Sequence, residues 1–298
     1  MMQKSLLATL AFSVVLTACG GDDKKGNGVT GPDGDCLRGS IAAGSSVAGS
    51  VATTDCRFSD LSSSVGRYDA YSVSLTQGRV YQVKLNATGG NGADLFVEIA
   101  TSAGVLIAES DDNPISLNSE VFFIAPQTGS FIIRAGGLDV DDVGGYRVSF
   151  RDCQATTITS TAAISGALST SDCRTTYSVD DSSYVDVFVL PYNGTARTLT
   201  LSASAFSPAA VLAGRDYFSF ESPDLLKFST LDSPALLSIA PGEPTGNYIV
   251  LVSAAQPFGR TGAYTLQTSA AGAALSGRTS GDGIAGAAWP RRATRSKR

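Results

Sequence analysis

The side chains of this 298-residue chain that could do chemistry are carboxylates and thiols, because the chain contains no histidine. Without an imidazole there is no Ser-His-Asp triad, no Cys-His pair and no His-bearing zinc centre. Nor does the sequence carry a Gly-x-Ser-x-Gly elbow, a phosphate loop or a dinucleotide fingerprint. What remains is a set of hard oxygen donors in the first half. Asp94 starts one apolar run, Asp111, Asp112 and Asn113 form a turn, and Asn118 and Glu120 precede another run. If Asp94, Asp111, Asp112, Asn118 and Glu120 converge at one end of a sandwich, they make a calcium site, since Ca2+ takes about six to eight oxygen ligands. Two of these carboxylates could instead serve as acid and base, as in glycoside hydrolysis. Asp and Asn also cap turns by bonding nearby backbone amides. Asp139, Asp141 and Asp142 form a second acidic loop, which lacks the Gly and distal Glu of an EF-hand. In the second half, Tyr177, Tyr184, Tyr192, Tyr217 and Phe218 could offer a sugar-stacking face or fill a core.

The thiols divide into one and four. Lys4 precedes an apolar run from Leu6 to Leu16, too short for a permanent membrane span, and Leu16-Thr17-Ala18-Cys19 follows directly. That tetrad resembles the lipobox of bacterial lipoproteins. The resemblance implies cleavage after residue 18 and a lipid anchor on Cys19, and two or more acyl chains hold a protein stably on a membrane. Gly20 rather than Asp follows the cysteine, which favours the outer membrane. Of the three pairings open to the other four cysteines, Cys36 with Cys56 and Cys153 with Cys173 is the economical one, because each pair is twenty residues apart. Such loops would each contribute roughly 3 kcal/mol by the chain-entropy model. A zinc site from these thiols lacks any Cys-x-x-Cys pair.

The elements that must position these groups repeat. The Cys36/Cys56 frame returns as Cys153/Cys173 after 117 residues, and the same offset carries Gly49 to Gly166, Asp69 to Asp186 and Phe131 to Tyr248, while Tyr146 reaches Tyr264 with one residue of slip. Period-two alternation, as in Tyr71, Val73, Leu75 and Tyr146, Val148, Phe150, predicts about eight short strands per repeat and an all-β fold of tandem sandwiches. A body of about 117 residues buries roughly two thirds of its unfolded surface, enough for each half to fold independently. Residues 20–34, with six glycines in fifteen, read as a tether spanning about 20 Å. Residues 278–298 carry six Lys/Arg and one Asp, so the body is more acidic than the formal charge of −5 and nucleic acid is excluded as a partner. The divisions expected are a signal peptide over 1–18, the tether over 19–34, sandwiches over 35–151 and 152–269, and a disordered basic tail over 270–298.

The residues "Tyr-x-x-Tyr-x-Val-x-Leu-x-x-Gly" (68–78), "Ala-Asp-Leu-Phe-Val" (93–97), "Glu-Ser-Asp-Asp-Asn" (109–113), "Ala-Pro-x-x-Gly-x-Phe" (125–131) and "Gly-Gly-Tyr-x-Val" (144–148) resemble the bacterial pre-peptidase C-terminal (PPC) domain. The second half keeps "Ala-Pro-x-x-x-x-Gly-x-Tyr" (240–248) and "Gly-Ala-Tyr-x-Leu" (262–266), with Ala209-Ala210 read at the place of Asp94 and Glu221-Ser222-Pro223-Asp224 at that of Glu109 to Asp112. The resemblance implies two jelly-roll-like sandwiches of a kind appended to exported enzymes, although no protease domain accompanies them here. Related sandwiches in bacterial collagenases bind calcium, so the resemblance also implies Ca2+ in the first repeat. The function expected is a lipid-anchored envelope protein that binds or presents a polysaccharide or protein ligand without catalysis. The alternatives are a structural envelope component and a carboxylate-dependent hydrolase.

Overall fold

The computed structural model describes residues 33–58, 66–89, 93–113, 116–178, 181–219, 226–230, 234–256 and 259–270. The signal peptide, Cys19, most of the tether and the basic tail lie outside them. The first half forms β1 (Leu37–Ser40), β2 (Ser45–Val51), β3 (Cys56–Arg57), β4 (Arg67–Leu75), β5 (Val80–Ala87), β6 (Leu95–Thr101), β7 (Leu106–Ser110), β8 (Ser119–Ile124), β9 (Gly129–Gly137) and β10 (Gly144–Asp152). The second half forms β11 (Thr156–Thr157), β12 (Ile164–Leu168), β13 (Cys173–Ser178), β14 (Asp181–Tyr192), β15 (Arg197–Ala203), β16 (Ser207–Arg215), β17 (Tyr217–Ser219), β18 (Leu226–Phe228), β19 (Ala235–Ile239), β20 (Gly246–Gln256) and β21 (Gly262–Ala270).

The protein is all-β, and its sheets stack as sandwiches. One sheet runs β1-β4-β9-β6-β7 and its partner β8-β5-β10-β2; the orders β11-β14-β20-β16-β18 and β19-β15-β21-β12 reproduce them strand for strand. Alternation decides which side chains meet inside. Tyr71, Val73 and Leu75 of β4 meet Val83 and Leu85 of β5 and Val148 and Phe150 of β10 in the first core, and Phe188, Leu199, Leu201, Val250 and Leu266 occupy the second. The cysteine pairs close as Cys36–Cys56 and Cys153–Cys173, with Cα separations of 5.9 and 5.5 Å.

The repeated glycines have a concrete role. Gly49 of β2 lies opposite Tyr146 of β10, and Gly166 of β12 opposite Tyr264 of β21. Each tyrosine ring lies across the bare glycine backbone, where a Cβ would collide with it. Covering a strand glycine with a cross-strand aromatic protects that stretch of sheet, so glycine and tyrosine recur together.

β17 has no counterpart in the first half. After Asp216, which adopts φ +66, the chain leaves the second sandwich, and Tyr217, Phe218 and Ser219 pair antiparallel with Phe123, Phe122 and Val121 of β8. The Asp216 carbonyl accepts the Ile124 amide (2.7 Å), and the Cys153 amide donates to Val80 (3.0 Å). Beneath this crossing, Val80, Phe122 and Ile124 pack with Val187, Val189, Phe218, Ile249 and Leu251 in a third buried cluster. The two halves therefore share an apolar seam besides their separate cores. Asp33, inside the stretch read as tether, is 2 % exposed and pinned by Arg134 of β9.

Candidate functional site

β6 and β7 form an antiparallel pair in which Val97 faces Ser110, so the residue before β6 and those after β7 emerge at the same end of the first sandwich. Asp94, Asp111 and Asp112 are those residues. One carboxylate oxygen from each lies within 4.8 Å of the other two, and all three side chains are half-buried. The local turn is built by its neighbours: Asn113 Oδ1 accepts the Ser116 amide (2.9 Å), and Ser119 Oγ donates to the Asp111 carbonyl (2.8 Å). Three carboxylates this close repel one another unless a cation or protons offset the charge. Asp or Glu oxygens at such spacing suit Ca2+, and backbone carbonyls or water complete its shell.

The other two expected ligands are placed elsewhere. Asn118 Oδ1 accepts the Ala87 amide at 2.8 Å, which closes the end of β5. Glu120 is 2 % exposed and faces the seam, where it accepts from Gln82 Nε2 (2.8 Å) and pairs with Lys84 (3.2 Å), so it lies outside the aspartate group. The reason is parity: Val121 and Phe123 point into the first core, so Glu120 and Phe122 project from the opposite face. Gln82 also donates to the Arg174 carbonyl (2.6 Å), which makes this face a polar fastening between the halves. In the second acidic loop, Asp142 accepts the Asp94 amide (3.0 Å) and the Asp139 amide (2.9 Å), which is turn capping.

Register corrects the reading of the second half. Ala210 lies against Val252 as Val97 lies against Ala135, and both Val252 and Ala135 follow the 117-residue offset. Ala210 therefore corresponds to Val97, and Ser207 rather than Ala209 or Ala210 stands in the place of Asp94. Ser229 donates its amide to Ala210 after β18, so Thr230 stands at the place of Asp111. Residues 221–224 precede β18, lie outside the described residues and are not the register counterpart of 109–112. The slip arises because β17 and its flanks are inserted between β16 and β18. With Ser207 and Thr230 there, two of the three carboxylates have no equivalent.

Three of the five aromatics singled out in the second half fill interiors. Tyr192 belongs to the second core, Phe218 to the seam, and Tyr217 packs against the first core. Tyr184 lies 4.8 Å beneath the Arg174 guanidinium; the Tyr177 side chain is outside the described residues. An open hollow of about 530 Å³ lies in the second half between Ile158–Ser160, Leu190–Asn193 and Gly246–Asn247, with Arg197 on its wall.

No family model and no curated protein matches the chain. Among solved structures, the chain is similar to the pre-peptidase C-terminal domain of collagenase from Bacillus anthracis, at 14 % identity and TM-score 0.29, over 39 % of this chain and 96 % of that one. It is also similar to a protein of Parabacteroides distasonis described as secreted, at 11 % identity and TM-score 0.23, over 75 % of this chain and 87 % of that one. A third likeness is to tripeptidyl peptidase 2, at 9 % identity and TM-score 0.23, over 78 % of this chain and 24 % of that one. The sandwich architecture rests on the sheet orders themselves. Two closed disulfides mark an extracytoplasmic protein.

Proposed function

We propose that the chain is a bacterial envelope protein, anchored by lipid at Cys19 and facing out from the outer membrane, whose two tandem PPC-like sandwiches bind or present a polysaccharide or protein ligand and catalyse no reaction. Ca2+ bound by Asp94, Asp111 and Asp112 stiffens the end of the first sandwich that meets the ligand. The convergence of these three side chains from the two ends of the β6–β7 pair carries this reading.

Calcium should raise the melting temperature of the full chain relative to the chelator-treated protein. Binding to the folded state alone stabilises by about 2.7 kcal/mol at a hundredfold excess over the dissociation constant. Asp112→Ala should remove most of the increment, and Asp142→Asn should leave it. Equal melting temperatures with calcium and with chelator would show that the three aspartates serve the turn only.

A further inference from the structure

One end of the first core is closed by three rings. Tyr81 of β5 lies 5.9 Å from Phe123 of β8 and 5.2 Å from Phe150 of β10, centroid to centroid. Register identifies their counterparts in the second sandwich. Val83 lies opposite Val121 and Phe150, as Leu199 lies opposite Leu237 and Thr268. Arg197 therefore stands at the place of Tyr81, Ile239 at that of Phe123 and Thr268 at that of Phe150. None of the three rings is kept. Leu199 and Leu201 are core residues, and Arg197 shares their inward face by strand alternation.

In place of the rings there is space, the hollow of about 530 Å³ that Arg197 lines. Its volume falls within the ~300–1,000 Å³ of small-molecule sites. Tyr192, at the place of Leu75, refills part of the end of the sandwich, and its hydroxyl donates to the Ala240 carbonyl (2.6 Å). Thr268 donates its hydroxyl to the Ser160 carbonyl (3.0 Å). Arg197 has no such partner: its Nε is buried without a hydrogen bond, and among the described residues no acidic side chain lines the hollow to neutralise it. A guanidinium stays charged at any working pH, and a buried donor left unpaired costs stability unless something else accepts from it. The rest of the wall mixes apolar Ile158, Leu190 and Pro191 with polar Thr159, Asn193 and Asn247.

We propose that this hollow is a binding site for an acidic saccharide unit of the uronate kind, whose carboxylate pairs with Arg197 and whose ring packs on the apolar wall. The planar fork of arginine meets a carboxylate through two parallel hydrogen bonds, which fixes orientation as well as charge. A neutral sugar leaves the guanidinium unpaired, and an acidic peptide side chain leaves most of the hollow unfilled. The site uses none of Asp94, Asp111 and Asp112. It names a ligand class within the binding role proposed above and rests on that role only for the natural polymer, since occupancy of the hollow is measured with single sugars.

The test is titration of the full chain with D-glucuronate and with D-galacturonate, followed by the amide resonances of Asn193 and Asn247. Saturable shifts in roughly the millimolar range are expected for at least one of them. Neutral glucose and galactose, and N-acetyl-glutamate amide as an acidic peptide side chain, should each bind about tenfold more weakly or worse. Arg197→Gln should weaken uronate binding by a similar factor. Arg197→Tyr restores the ring of the first sandwich, so it should abolish binding while the melting temperature holds or rises, which separates loss of the site from loss of the fold. Inorganic phosphate that binds more tightly than either uronate would assign the hollow to a phosphate and overturn the saccharide reading. The proposal is also overturned if neither uronate gives saturable shifts, if the neutral sugars or the glutamate probe bind equally well, or if binding ignores Arg197→Gln. Calcium stabilisation at Asp94, Asp111 and Asp112 would stand in any of these cases.

Discussion

Arg134→Leu is expected to destabilise the folded protein by about 3–5 kcal/mol, the cost of leaving buried carboxylates without their counter-ion. Arg134 is 4 % exposed and donates to Asp33 at 2.8 and 3.2 Å and to Glu98 at 2.9 Å. Tyr68 adds its hydroxyl to Asp33 (2.7 Å), and the guanidinium lies 5.5 Å over the Tyr68 ring. Burial and the Asp33 carboxylate hold the Tyr68 hydroxyl protonated well beyond its usual range. Arg134→Lys should recover only part of the loss, since one ammonium cannot reach both acids as a fork does. Urea unfolding measures both variants, and a loss below about 1 kcal/mol for Arg134→Leu would mean that the network contributes no more than a surface pair.

Phe218→Ala is expected to cost about 3–5 kcal/mol by leaving a void in the seam. The ring is 3 % exposed and lies 6.4 Å from that of Phe122, across the boundary between the two halves. Because Phe218 belongs to the second half and Phe122 to the first, their interaction energy reports coupling between the sandwiches. A double-mutant cycle should give roughly 0.5–3 kcal/mol. Coupling near zero, with separate unfolding transitions, would mean that the halves are independent bodies.

The fold was legible wherever a residue's role depends on neighbours repeated with it. Glycine and tyrosine recur together because they are cross-strand partners, and the cysteine spacing recurs because it closes the same loop against the same strand. β17 was not legible: a three-residue alternation states which side chains share a face but not which sheet accepts them. Asp33 reads as linker among glycines, since its partner Arg134 is 101 residues away and polar composition carries no trace of a buried ion pair.

In the candidate site, Asp94, Asp111 and Asp112 were recoverable because hairpin pairing brings both ends of the β6–β7 pair together. Glu120 was misplaced although the period-two pattern holds the answer, with Val121 and Phe123 inward and Glu120 outward.

The most direct test of the account is cross-linking in the native cell, followed by membrane fractionation and identification of whatever is attached to the protein. The prediction is recovery with the outer membrane, bound to one recurring envelope protein or polysaccharide, with release from the membrane in Cys19→Ala and a weaker attachment in Asp112→Ala. Recovery of the protein free of any ligand, or fractionation unchanged by Cys19→Ala, would contradict an anchored binding module.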